Sequence, residues 1–141
     1  MSGFLLDTNV ISELVKPRPE TKVICWIEEL DEHLLYLSVL TLGEIRKGVA
    51  ALPQSVRRTA LEAWLESDLR LRFSKRILSV DGSVADRWGV LAAKAQQDGR
   101  TLPVIDGLLA ATAIHHNLTL VTRNTGDTEA TGVPLFNPWQ G

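Results

Sequence analysis

Apolar residues fall into two kinds of run along this chain. Phe4-Leu5-Leu6, residues 34–38, 77–80, 118–122 and 133–136 form short blocks, too brief for helices and suited to strands buried on both faces. Between them the apolar positions recur every three or four residues, the spacing of a helix with one face turned inward. The first such stretch, Val10, Ile11, Leu14 and Val15, is stopped by Lys16-Pro17-Arg18-Pro19. The second covers residues 20–30, and Cys25 is expected to pack near its apolar face.

A helix is predicted over residues 41–52, with Thr41 as N-cap, Glu44 completing a capping box and Pro53 as the stop. A long amphipathic helix follows over residues 54–73, with Val56, Ala60, Leu61, Trp64, Leu65 and Leu69 as its stripe. Asp81 and Ser83 offer caps for a helix through Ala95 that closes at Asp98-Gly99. The last helix is expected over residues 104–116, with Asn117 as a left-handed C-cap. Strands alternating with helices predict an α/β fold: a three-layer α/β/α sandwich around a mostly parallel sheet of four to five short strands.

Composition narrows the class. The chain has 141 residues, enough for one domain spanning 1–141, with 45% hydrophobic and 23% charged residues. A formal net charge of −2 gives no global basic field, so nucleic-acid binding would need a local patch or metal ions. Cys25 is the single cysteine, which excludes an internal disulfide and a thiolate-rich zinc site. Neither a basic-apolar leader nor a run of eighteen apolar residues is present, so the expectation is a cytoplasmic protein with no membrane association.

The candidate chemistry begins where the first strand stops. Asp7-Thr8-Asn9 suits a turn and a helix start, and Asp7 or Thr8 reads equally well as a plain helix cap. In a parallel sheet, however, strand ends and helix starts collect at one edge, and four acids fall there. Asp7 follows the first strand, Glu44 opens the helix after the second, Asp106 lies in the first turn of the helix leading to the fourth, and Asp127 lies in the loop leaving it. Singly, each has a structural role as a cap, a helix-dipole partner or a loop acid. Jointly, four converging carboxylates would repel and would require a cation. Oxygen donors without Cys or His favour Mg²⁺ or Mn²⁺.

Four segments resemble a PIN-domain ribonuclease: Leu5 through Glu13, residues 38–48 with Glu44, Asp106 followed by Gly-Leu-Leu-Ala-Ala-Thr-Ala, and Val121 through Thr125. More narrowly they look like the VapC toxins of type II toxin–antitoxin pairs, and Phe136-Asn137-Pro138-Trp139 looks like the FitB-like branch. The resemblance implies a PIN-like sandwich and a catalytic acidic set of Asp7, Glu44, Asp106 and Asp127, with Asp7 and Asp106 as direct metal ligands. Some relatives place an acid where this chain has Asn124, and others carry Asn there with an acid three residues later; on that pattern Asp127 is the fourth acid and Asn124 a polar contact beside it.

It further implies Mg²⁺-dependent hydrolysis of RNA to a 5′-phosphate and a 3′-hydroxyl, restraint by a cognate antitoxin, promoter DNA reached only through that antitoxin, and a homodimer. Thr8 and Asn9 are expected to orient Asp7, and, with Asp7 given to the metal, Thr8 or Asn9 to take the helix-capping role; Arg46, Lys47 and Arg123 are the basic candidates for RNA contact. Trp26, Trp64 and Trp88 lie on apolar stripes and are expected in the core, and His115 and His116 are read as helix-end residues. The competing reading is a FitB-like, non-cleaving subunit of a DNA-binding regulatory complex.

Overall fold

The computed structural model describes residues 2–141. At its centre five short strands pair in parallel: β1 (Phe4–Leu6), β2 (Leu35–Ser38), β3 (Ile77–Leu78), β4 (Thr119–Val121) and β5 (Leu135–Phe136), in the order β3-β2-β1-β4-β5. Leu5 lies opposite Tyr36 on one side and Leu120 on the other, and Leu6 opposite Val121. Alternation along each strand then sorts the side chains to two faces. Leu6, Leu35, Leu37 and Val121 join one core cluster, while Leu5 and Leu120 join the other. A central parallel strand is buried on both faces, which is why it reads as an unbroken Leu-rich run.

The first cluster is covered by α1 (Thr8–Glu13), α2 (Thr21–Glu29), α3 (Val39–Ala50) and α4 (Val56–Ala63). The second is covered by α6 (Gly82–Gln97) and α7 (Val104–His115), which pack on each other. Gly107 permits that approach, because a Cβ there would lie 3.0 Å from the Trp88 ring. The result is the expected α/β sandwich, with a sheet that is parallel throughout. No helix among the described residues is long and apolar enough to cross a membrane.

Several local expectations are corrected. The helix after β2 starts at Val39 and is capped by Ser38, whose hydroxyl accepts the Leu40 amide at 3.0 Å. Thr41 is therefore a buried helical residue rather than the cap, and Glu44 lies in the second turn. The cap moves because the strand's last residue already supplies an oxygen, so the helix need not wait for Thr41. The helix over residues 54–73 is three pieces: α4, a π-helical segment at Trp64–Leu69, and α5 (Arg70–Arg72). The segment keeps Leu65, Leu69 and the following Phe73 fully buried. Cys25 is exposed, since Val23 and Ile27 supply the buried face of α2. Asp81 caps α6, and Asn117 adopts a positive φ of 56°, both as expected.

Candidate active site

The sheet order reverses at β1: the chain runs outward to β2 and β3 on one side, then returns to place β4 and β5 on the other. A crevice opens beyond the strand ends at such a reversal, and ligands of open α/β sheets bind there. Asp7 is the first residue past β1, and Thr122 the first past β4. The Asp7 amide donates to the Val121 carbonyl at 2.9 Å, fixing the two strand ends together.

The Asp7 carboxylate is held at both oxygens. Oδ1 accepts the Thr8 amide at 2.7 Å, and Oδ2 accepts the Thr122 hydroxyl at 2.8 Å. Asp7 is thus itself the N-cap of α1, a role expected to pass to Thr8 or Asn9 if Asp7 served the site. Asp7 performs both, because a cap occupies only one lone pair of a four-site acceptor. Thr8 instead donates through its hydroxyl to Glu44 Oε1 at 2.5 Å, which ties α1 to α3. Asn9 spans the crevice: its Nδ2 donates to Thr122 Oγ1 at 3.4 Å and its Oδ1 accepts the Arg123 amide at 3.4 Å.

Only 8% of Asp7 is exposed. Burial pushes its proton affinity up; the Thr122 hydroxyl and Thr8 amide pull it down, the Glu44 charge pushes it up again, and the net shift is upward. Asp106, in the first turn of α7, is also raised, by burial first and then by the charges of Asp7, Asp127 and Glu44. Repulsion from three other acids places Asp106 electrostatically among them. Asp7, Glu44, Asp106 and Asn124 line one open cleft of about 380 Å³. Asp127 stands next door, in a hollow shared with Arg100 and Thr101, so Asn124 rather than Asp127 faces the cleft directly.

Among the described residues no three His, Cys, Asp or Glu side chains stand close enough to form a ready-made metal cage. The donors nevertheless fit a hard divalent cation. They are carboxylate oxygens, and at Asp7 and Asp106 the negative charge is destabilised by burial and neighbouring acids, effects that a cation relieves. Asp7, Asp106 and Glu44 line the same cleft and are the acids that could turn oxygens toward such a cation.

The basic candidates divide. Arg123 lines the cleft. Arg46 pairs with Glu66 at 2.9 Å and does not line it, and neither does the exposed Lys47. On α3, Ile45 and Val49 face the core, and Arg46, two residues after Glu44, points to the opposite side of the helix from it.

Glu13, Thr122 and Trp139 also shape the site and are not among the expected residues. Glu13 is 3% exposed, accepts the Glu20 amide at 2.8 Å and pairs with Lys16 at 3.0 Å. Burial pushes its carboxyl up, but that amide, Lys16 and Arg123 outweigh burial and hold it below its usual range. The signal was present: Asn9, Glu13 and Lys16 are spaced i, i+4, i+7, one helical face. Thr122 carried no pattern of its own. Trp139 lines the cleft as well, with the Arg123 guanidinium 5.1 Å from its ring centre.

Residues 4–130 match the family model of the PIN domain. The chain belongs to the PIN-domain family. Among curated relatives, it is 41% identical to Toxin FitB of Neisseria gonorrhoeae over 135 residues, covering 96% of this chain and 97% of that one. It is 39% identical to VapC ribonuclease Y4jK of Sinorhizobium fredii, covering 96% and 97%. Among solved structures, FitAcB from Neisseria gonorrhoeae superposes with a TM-score of 0.93 at 40% identity, covering 98% of this chain and 99% of that one. FitAB bound to the IR36 DNA fragment superposes with a TM-score of 0.91 at 39% identity, covering 96% and 95%. The switch-point crevice of this PIN domain is thus set in a backbone that FitB shares nearly end to end.

Proposed function

We propose that this PIN domain is a divalent-metal-dependent endoribonuclease, the toxin of a toxin–antitoxin pair. The observation that carries the proposal is the pair of Asp7 and Asp106, two carboxylates from different ends of the chain, both destabilised as anions and both lining one cleft with Glu44. Holding charged carboxylates that repel one another is costly without a counter-ion, and a phosphodiester-cleaving centre supplies that ion. Supporting it, one relative carries the name ribonuclease and another the name toxin.

Bound Mg²⁺ or Mn²⁺ would polarise the scissile phosphate and lower the pKa of a coordinated water. Asp7 and Asp106 would hold the metal, with Thr122 and the Thr8 amide fixing Asp7. Glu44, itself oriented by Thr8, completes the ligand set or accepts a hydrogen bond from the attacking water. Asn124 offers a neutral polar contact at the far wall, and Asp127 adds charge from the adjoining hollow. Attack at phosphorus breaks the P–O3′ bond, leaving a 3′-hydroxyl and a 5′-phosphate. Arg123 stands where an RNA phosphate would enter. A cognate antitoxin that fills the cleft, a homodimer and promoter DNA bound through the antitoxin complete the reading.

The test is cleavage of single-stranded RNA by the purified chain with Mg²⁺, with EDTA, and in the Asp7→Asn and Asp106→Asn variants. Loss of about 10³-fold or more in both folded variants is expected, as for removal of metal ligands. Equal cleavage in EDTA would overturn the proposal. A second reading, a non-cleaving subunit of a DNA-binding complex, is favoured by the solved FitAB complex with DNA. It predicts no RNA cleavage with or without the partner, and DNA binding only with it.

A further inference from the structure

The cleft holds one basic side chain that no acid claims. Lys16 is paired with Glu13, whereas the Arg123 guanidinium forms no ion pair among the described residues, although its charge is felt by Glu13. It lies instead over the Trp139 ring, 5.1 Å from the centre. Trp139 is fixed from below, packed half-buried against the core cluster that contains Val121 and Leu6. Asn137 couples the two backbones: its Oδ1 accepts the Trp139 amide at 2.9 Å and its Nδ2 donates to the Arg123 carbonyl at 3.3 Å. From the other side, Asn9 receives the Arg123 amide. An exposed arginine at the rim is thereby anchored at its amide, its carbonyl and its head.

We propose that Trp139 is a positioning residue that holds the Arg123 guanidinium at the rim of the acidic cleft as a clamp for an RNA phosphate flanking the scissile bond. The inference rests on the nuclease reading. A guanidinium left to itself near Glu13, whose carboxyl feels its charge, would fold onto that carboxylate, because charge-assisted pairs are favourable. The aromatic face competes for it at a cost in desolvation lower than that of a salt bridge. The donor edges of the planar fork stay open to an incoming phosphate. The acids then keep their charge for the metal, and the strand is drawn to one side of a cleft that would otherwise repel it.

The experiment measures affinity rather than turnover. Binding of a fluorescein-labelled, mixed-sequence single-stranded RNA is followed by anisotropy in Mg²⁺, in an Asp106→Asn background that does not cleave. Arg123→Ala should weaken binding about tenfold and reduce the slope of log K against log salt by about 0.7. Trp139→Leu keeps an apolar plug but no π face, and should weaken binding about threefold. Added to Arg123→Ala, it should have no further effect. Trp139→Phe should retain part of the affinity, and a cycle built on Trp139→Phe replaces the first if the Leu variant does not fold.

Independent, additive losses, or no loss in the Trp139 variants, would overturn the positioning role while leaving the nuclease reading intact. A parent protein that neither binds nor cleaves RNA in Mg²⁺ would overturn both.

Discussion

The Thr122 hydroxyl donates to Asp7 Oδ2 at 2.8 Å, joining side chains 115 residues apart across the centre of the sheet. The same hydroxyl oxygen accepts from the Asn124 amide and from Asn9, so its proton has one direction left, toward Asp7. Thr122 is 2% exposed, and the carboxylate it serves is buried. This bond offsets part of the burial penalty on Asp7.

Thr122→Val keeps the shape and removes the donor. It should destabilise the fold by about 1–3 kcal/mol, the cost of leaving a buried acceptor unpaired. It should also lower RNA cleavage about tenfold. Because the hydroxyl lowers Asp7's proton affinity, its loss raises it, and the acidic limb of the pH–rate profile should move to higher pH. Thr122→Ser should restore the limb. An unmoved limb in the Val variant would show that Asp7 does not titrate in the reaction.

The Asp106 carboxylate accepts no hydrogen bond among the described residues, and its folded pKa lies above the ordinary value of 3.8. A carboxyl raised in this way contributes stability when protonated, and that contribution is lost as pH rises through its folded value. Asp106→Asn should therefore melt higher than the parent at pH 7 without metal, on the order of 2 °C. The gain should shrink as pH falls toward 4, and saturating Mg²⁺ should reverse its sign by stabilising only the parent. Thermal melts by circular dichroism at both pH values, with and without Mg²⁺, check all three.

Glu13 behaves in the opposite sense. Its folded pKa lies below the ordinary 4.5, so its contribution is present above 4.5 and is lost as pH falls through the folded value. Glu13→Gln should cost about 1–2 kcal/mol at pH 7, by weakening the Lys16 pair and the Glu20 amide contact. Urea midpoints should converge for the two proteins on acidification. Midpoints separated equally at pH 7 and pH 3 would contradict this.

Asp127 reaches Asp106 through charge alone, from the neighbouring hollow. Asp127→Asn should weaken Mg²⁺ binding only about threefold, the scale of a solvent-screened pair of charges. Asp106→Asn should abolish it. Calorimetric titration of Mg²⁺ into the two variants separates the roles. An equal loss would put Asp127 in direct contact with the metal.

How much of this was legible in the chain depends on the range of the interaction concerned. Leu5, Leu6 and Leu120 announced buried strands by composition alone, and the strand–helix alternation then placed Asp7, Glu44 and Asp106 at one edge. Those inferences need only local pattern and topology. The Ser38 cap was misjudged because two hydroxyls, Ser38 and Thr41, suit the role, and the choice depends on where β2 stops. Thr122 was invisible because its task is defined by Asp7, which it meets only through sheet pairing. Trp139 was legible only as part of a FitB-like signature, since Arg123 comes over its ring only after β5 pairs with β4. Cys25 was misread because both faces of α2 carry apolar residues and only burial separates them.

The reversal of strand order at β1 also has a consequence in time. Asp7 is made some hundred residues before β4, the neighbour that completes its setting, and the Asn137–Trp139 clasp comes later still. A nascent chain that already carries Asp7, Glu44 and Asp106 therefore has no working cleft. The site forms only when β4 docks on the free edge of β1 and β5 on β4, so a chain still being made has no complete site until Trp139 has been added and these strands have paired.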